Sequence, residues 1–179
     1  MPVKPKQPRP EVPSPWEFQK LAEASRDAAN AAYADIRSRD AAYGEGNRNV
    51  ESNFMAVTVA FLYLRSVELP LKGAIRERGL APVEAIPSLK LGHDIKKLME
   101  CAMTGGTQKS APLILSELGL DQAGKNFLEH HSDDYANKWF EYHLGPFHYP
   151  DLDRCRHIST SMVQAVALIA KTHREFNLS

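Results

Sequence analysis

The sequence predicts an all-α fold, an up-and-down helical bundle preceded by a disordered proline-rich tail. Three observations carry that expectation. Apolar residues recur at the helical period in several long segments, no stretch of useful length alternates as a strand does, and glycines and prolines punctuate the chain at helix-length intervals. With 179 residues, 43% apolar and 25% charged, the chain suits one globular domain. A domain of this size buries roughly 70% of the surface its unfolded chain exposes, so it needs no disulfide or metal to hold it.

Residues 1–13 are expected to form the tail, and residues 14–179 the single bundle domain. Half of the 12 prolines fall between Pro2 and Pro15, interleaved with Lys4, Lys6 and Arg9. Proline fixes φ and lacks a donor, so this stretch reads as extended and solvated, either a bare tail or a peptide ligand for a partner. The first helix starts at Ser14, which can cap, with Pro15 at the first helical position and Glu17 completing a capping box. Phe18, Leu21, Ala22, Ala28, Ala29, Ala32, Tyr33 and Ile36 then recur at helical spacing, and the alanines predict close approach of a neighbouring helix. Gly44 and Gly46 should end it.

A second helix is expected from about Asn49 to Arg78. Between Phe54 and Leu64 it is apolar on all sides except Thr58, the mark of a central buried helix. Beyond Leu64 the pattern narrows to one stripe, with Arg65, Glu68 and Lys72 opposite, and Pro70 should kink the helix near Ser66. Residues 80–92 read as a loop. A third helix carries Ile95, Leu98, Met99 and Ala102 on one face, with Asp94 at its start and Gly105 and Gly106 at its end. Short helices are expected at Ala111–Leu118 and at Gln122 to about His131, and Asp133 or Asp134 should cap a further stretch through Trp139 to His143. The last helix, Leu152 to about Phe176, places Cys155, Ile158, Met162, Val166, Ile169, His173 and Phe176 on one stripe.

Composition and motif searches exclude several chemistries. Lys plus Arg equals Asp plus Glu at 22 each, which argues against a dedicated duplex-DNA binder. Cys101 and Cys155 sit in no metal-binding or redox pattern, and the N-terminus has no apolar signal core. The longest apolar run is too short to span a bilayer. These features together read as a cytoplasmic protein without membrane association. No Glu-x-x-His, HExxH, GxGxxG, GxxxxGK[ST] or GxSxG occurs, so neither a cofactor nor a metal is expected. Asp153 and His157, one helical turn apart, read as an exposed ion pair. His130, His131, Asp133 and Asp134 resemble ligands but sit where capping and solvation explain them.

Three constellations remain as candidate ligand-binding sites. Arg65, Glu68 and Lys72 form a polar stripe on an otherwise buried helix, and must satisfy one another, a neighbouring helix or a ligand. His93 and Asp94 open the third helix, where a free N-terminus suits an anion and favours neutral imidazole, or where Asp94 simply caps. Lys138 to His143, with Phe147, His148, Tyr149 and Pro150, could stack unpaired bases or plug one end of the bundle.

The run Phe61-Leu-Tyr-Leu-Arg-Ser-Val-Glu68-Leu-Pro-Leu-Lys72-Gly-Ala-Ile, followed after a loop by Gly92-His93-Asp94-Ile-Lys-Lys-Leu98-Met99-Glu-Cys-Ala, resembles small bacterial proteins of the HEPN superfamily. There a helix bearing Glu-x-x-x-Lys precedes Gly-His-Asp/Asn-Leu at the start of the next helix, and His148-Tyr149-Pro150 is similar to an aromatic segment before the last helix. The resemblance implies an up-and-down bundle, a homodimer, and RNA cleavage, toxin–antitoxin pairing or partnership with a nucleotidyltransferase. Nuclease members carry an Arg followed four to six residues later by His, and no Arg here has such a His. Lys125 with His130 or His131, and Lys138 with His143, replace guanidinium by ammonium and lose bidentate phosphate geometry. The expectation is therefore a non-catalytic binding or interaction module for RNA, a nucleotide or a protein partner. Its alternatives are a metal-independent ribonuclease, with His93, His143 or His148 as base and Lys72 or Lys138 stabilising charge, and a purely structural subunit.

Overall fold

Helix α1 (Pro15–Tyr43) begins at the expected capping box. The Ser14 hydroxyl accepts from the Glu17 amide at 3.2 Å, and the Glu17 carboxylate accepts from the Ser14 amide at 2.6 Å. These contacts come from a computed structural model, which describes residues 12–43, 50–86, 92–105, 111–137 and 150–176, excluding the side chains of 42–43, 50–54 and 170–176. Most of residues 1–13, Gly44, Gly46, Gly106, Lys138–His143 and Phe147–Tyr149 lie outside the described residues. Val12 and Pro13 belong to the folded body, because Val12 packs on the core and Arg76 donates to both of their carbonyls.

Helix α2 is Val50–Glu77, α3 Ile95–Thr104, α4 Gln122–Ala136 and α5 Leu152–Phe176, with a 3-10 turn at Val83–Ala85. Among the described residues the fold is all helical, with no strand. No helix among these residues is long and apolar enough to cross a membrane. Helix α2 is central: α1 packs along it, α5 packs on α1 and α2, α3 packs on α2, and α4 packs on α3. The α1 stripe is Phe18, Ala22, Ala29, Tyr33 and Ile36, while Leu21 and Ala28 are exposed. Ala22 and Ala29, both fully buried, supply the close approach that the alanine density predicts. Where α1 begins, a Cβ on Gly73 would meet Phe18 Cβ and the Pro15 carbonyl at 3.3 Å, so the missing side chain lets the two helices touch.

Burial along α2 does not follow the expected division. Ser66 to Ile75 is buried at every position, whereas Thr58 is exposed and Phe61 and Leu62 are half-buried. The half with the charged stripe is thus the deeper one, because α3 and Tyr135 of α4 close over the face that carries Glu68. The helix continues through Pro70. Ser66 donates to the Tyr63 carbonyl at 2.6 Å, and its oxygen lies 2.5 Å from that of Ser159. Since the Ser66 hydrogen is taken by Tyr63, Ser159 is the donor, and this buried pair ties α5 to α2.

Two helix assignments change. Residues 111–118 form turns rather than a helix, held at Leu113 by an amide bond to the Ala102 carbonyl of 2.8 Å and closed at Gly119, whose φ of +67° suits glycine. Helix α4 continues past His131 to Ala136, capped by Asp121 through the Gly124 amide at 2.6 Å. Asp133 and Asp134 therefore lie inside its last turns and cap nothing there. Helices α3 and α5 match their expected spans, and Gly105 ends α3 in the left-handed conformation with φ of +78°.

Candidate functional site

Glu68 is the centre of a buried polar cluster to which α2, the start of α3 and α4 contribute. Its spacing on α2 places Arg65 one turn before it and Lys72 one turn after, all on one helix face. Arg65 Nη1 lies 2.9 and 2.8 Å from the two Glu68 oxygens, and Lys72 Nζ lies 2.5 Å from Oε1. His93, just before α3, brings Nδ1 to 3.1 Å from Oε2, and Tyr135 of α4 donates its hydroxyl to the same oxygen at 2.5 Å. The Tyr135 ring is held in place by Phe61, at a centroid distance of 5.6 Å, and by the edge-on His93 ring at 6.2 Å.

The electrostatics follow from this crowding. Burial by itself would raise the Glu68 pKa, but the His93 hydrogen bond and the Lys72 and Arg65 charges overcome it and hold the carboxyl down at about 2. Desolvation pulls Arg65 down and the Glu68 charge more than restores it, leaving the guanidinium above its ordinary range. Burial, followed by the adjacent Glu68 charge, pushes the Tyr135 hydroxyl well up, so it stays a donor. An ionised Glu68 can only accept, so His93 Nδ1 must carry the proton it presents. In the neutral ring Nε2 is then the nitrogen without a proton, and the side chain is 46% exposed. Arg65 Nη1 and His93 Nδ1, 3.3 Å apart, are two donors converging on one oxygen.

Asp94 behaves as a cap. Its Oδ1 accepts from the Lys97 amide at 3.0 Å and from the buried Ser132 hydroxyl at 3.1 Å, and Ser132 in turn accepts from the Lys96 amide at 3.0 Å. The α3 N-terminus is thereby filled by the chain's own groups and offers no vacant cradle for an anion. Burial raises and the Lys97 bonds lower the Asp94 pKa, with the lowering dominant.

The structure thus brings together Arg65, Glu68, Lys72 and His93, and leaves Asp94 to cap α3. His148 and Tyr149 lie outside the described residues, as do His143 and Lys138. Sequence reasoning missed Tyr135 and Ser132. The signal for Tyr135 was available: Gly124, Leu128, His131 and Tyr135 form one buried stripe at helical spacing, cut short by ending the helix at His131. His131 is itself buried, its Nδ1 unpartnered, with its pKa lowered by burial and then by neighbouring His130. Among the described residues no His, Cys, Asp or Glu cluster could hold a metal ion. Asp153 reaches toward Arg37 at 3.8 Å rather than toward His157, because α1 lies alongside it. Comparisons with family models, with curated proteins and with solved structures found no match for this chain.

Proposed function

We propose that the chain is a non-catalytic, HEPN-like binding module that recognises single-stranded RNA through the exposed edge of the Glu68 cluster. The observation that carries this reading is the asymmetry of charge and access. One carboxylate faces two cations, so one positive charge is left over. Lys72 is 8% exposed at its side chain and sits on Glu68 Oε1, whereas Arg65 is 33% exposed. The charge a ligand can reach is therefore Arg65, flanked by the exposed imidazole of His93. Glu68 fixes both groups, so their conformational entropy is already spent before a phosphate arrives. Lys72 is scaffold on this reading, and Arg65 takes the ligand-facing role.

The test is fluorescence anisotropy with a labelled oligonucleotide of about ten nucleotides. Arg65→Gln should weaken binding about tenfold or more and flatten its salt dependence. Lys72→Met should leave the affinity of the folded protein unchanged. Absence of RNA binding at low salt, or equal losses in both variants, sinks the proposal.

A second reading is favoured by one distance, the 3.1 Å between His93 Nδ1 and Glu68 Oε2. A carboxylate that fixes the imidazole tautomer leaves Nε2 able to take a proton from a ribose 2′-hydroxyl, with Arg65 beside the phosphate. RNA cleavage lost in His93→Gln and undisturbed by chelators would favour this ribonuclease. Cleavage retained by that variant would remove it.

A further inference from the structure

On the opposite side of α2 from the Glu68 cluster, α1 and α5 form an open cleft of about 700 Å³. Its lining is Asn30, Tyr33, Ala34 and Arg37 from α1 with Arg156 and Thr160 from α5. Tyr63 forms part of the support beneath it, and Tyr63 and Arg65 project nearly opposite ways because two residues advance a helix by about 200°. We infer that this cleft is a second ligand site, one that takes the terminal phosphate of a small phosphate ester.

Charge favours an anion in the cleft. Arg37 and Asp153 are a loose pair, 3.8 Å apart with both side chains largely exposed, and they cancel. Arg156 is exposed, and no acidic group among the described residues lies within ion-pair distance of it. Its field reaches the cleft support: burial pushes the Tyr63 hydroxyl up to about 12, and Arg156 is the group that opposes that rise. Among the described residues, one positive charge in the cleft is therefore uncompensated.

The direction of the donors narrows the choice of anion. The fully buried Tyr63 donates its hydroxyl to Asn30 Oδ1 at 2.8 Å, which fixes the amide and leaves its Nδ2 donors to serve the cleft. Tyr33 is itself fixed from below by the Tyr63 ring at 6.5 Å and overlaid by Arg37 at 6.0 Å. The donors thus come from two helices: guanidinium groups from both, the Asn30 amide and the Thr160 hydroxyl. A planar carboxylate offers two oxygens to such a set. A terminal phosphate offers three, spread over a tetrahedron, and matches donors that approach from opposite walls. The remaining volume accommodates the rest of an ester.

Inorganic phosphate is the first probe, titrated against the full chain while side-chain NMR signals of the arginines and Asn30 are followed, with acetate as the comparison. Saturable shifts of Arg37, Arg156 and Asn30 are expected with a Kd of about 1–10 mM. Arg156→Gln should weaken binding about tenfold. Asn30→Asp keeps an acceptor for Tyr63 and places a carboxylate in the cleft, so it should abolish binding while the thermal midpoint holds. Asp153→Asn removes the competing charge and should tighten binding several-fold, a gain that misfolding cannot produce. Arg65→Gln should change nothing here, which separates this cleft from the RNA edge. Shifts that stay linear, that acetate reproduces equally, or that survive Arg156→Gln and Asn30→Asp would overturn the assignment.

Discussion

Replacing Lys72 by Met isolates what a buried cation does for Glu68. The Lys72 side chain is 8% exposed and Glu68 is 0% exposed, with 2.5 Å between Nζ and Oε1. Breaking a buried pair from one side costs about 3–5 kcal/mol when the remaining charge is left alone. Glu68 is not left alone, because Arg65 reaches both oxygens and Tyr135 and His93 hold Oε2. Methionine also keeps the apolar stem of lysine in place. The expected loss is therefore about 2–3 kcal/mol, a fall in melting temperature of roughly 4–12 °C for a domain of this length. Glu68→Gln strands two cations, one of them buried, and should cost more, about 3–5 kcal/mol. Combining the two changes should cost less than their sum by about 1–3 kcal/mol, since each removes the reason for the other's penalty. Urea denaturation followed by circular dichroism reads these values as midpoint shifts at constant slope. A Lys72→Met protein within about 0.5 kcal/mol of the parent, or strictly additive single changes, would refute the idea that this pair is coupled in the folded core.

Glu68 also sets an acid limb. Its carboxyl is lowered from 4.5 to about 2 in the fold, so its contribution is complete above about pH 4.5 and lost as pH falls toward 2. That amounts to roughly 3 kcal/mol, and Glu68→Gln should flatten urea midpoints measured across that window. Gly119→Ala should destabilise by about 2–4 kcal/mol in the same assay, because φ is +67° and the new Cβ would lie 2.6 Å from the Ser161 carbonyl oxygen. Deleting residues 1–13 removes the Val12 and Pro13 carbonyls from Arg76 and should lower stability by about 1–2 kcal/mol, whereas deleting 1–11 leaves those bonds intact. Equal midpoints for the two truncations would show that the Arg76 clamp contributes nothing.

Helix existence was legible in the sequence wherever the signal was local. The capping box at Ser14 and Glu17, the stripe from Cys155 to Val166 and the start of α3 at Asp94 all need only neighbouring residues, and each is found in place. The failures share a different cause. The stretch 111–118 has helical composition, yet its Leu113 amide bonds to Ala102, a tertiary partner that no window of sequence contains. Asp133 and Asp134 look like caps, but the stripe of Leu128, His131 and Tyr135 keeps α4 going through them. Packing against α3 outweighed a local preference worth about a kilocalorie per mole.

The candidate site divides along the same line. That Arg65, Glu68 and Lys72 share a helix face follows from their spacing, and that they meet His93 was one of the outcomes the stripe allowed. What spacing cannot supply is direction. A polar stripe on a central helix faces water if no element covers it and becomes core if one does, and the sequence around α2 is the same in both cases. The deciding residue, Tyr135, is 67 positions away and closes over Glu68 with a 2.5 Å bond. Once that lid is present, the Lys72 side chain is only 8% exposed, and Arg65 and His93 are the charged and basic groups of the cluster that meet solvent more fully. On the proposed reading a ligand is therefore recognised by Arg65 and His93, with Lys72 felt only through the rigidity it lends to Glu68.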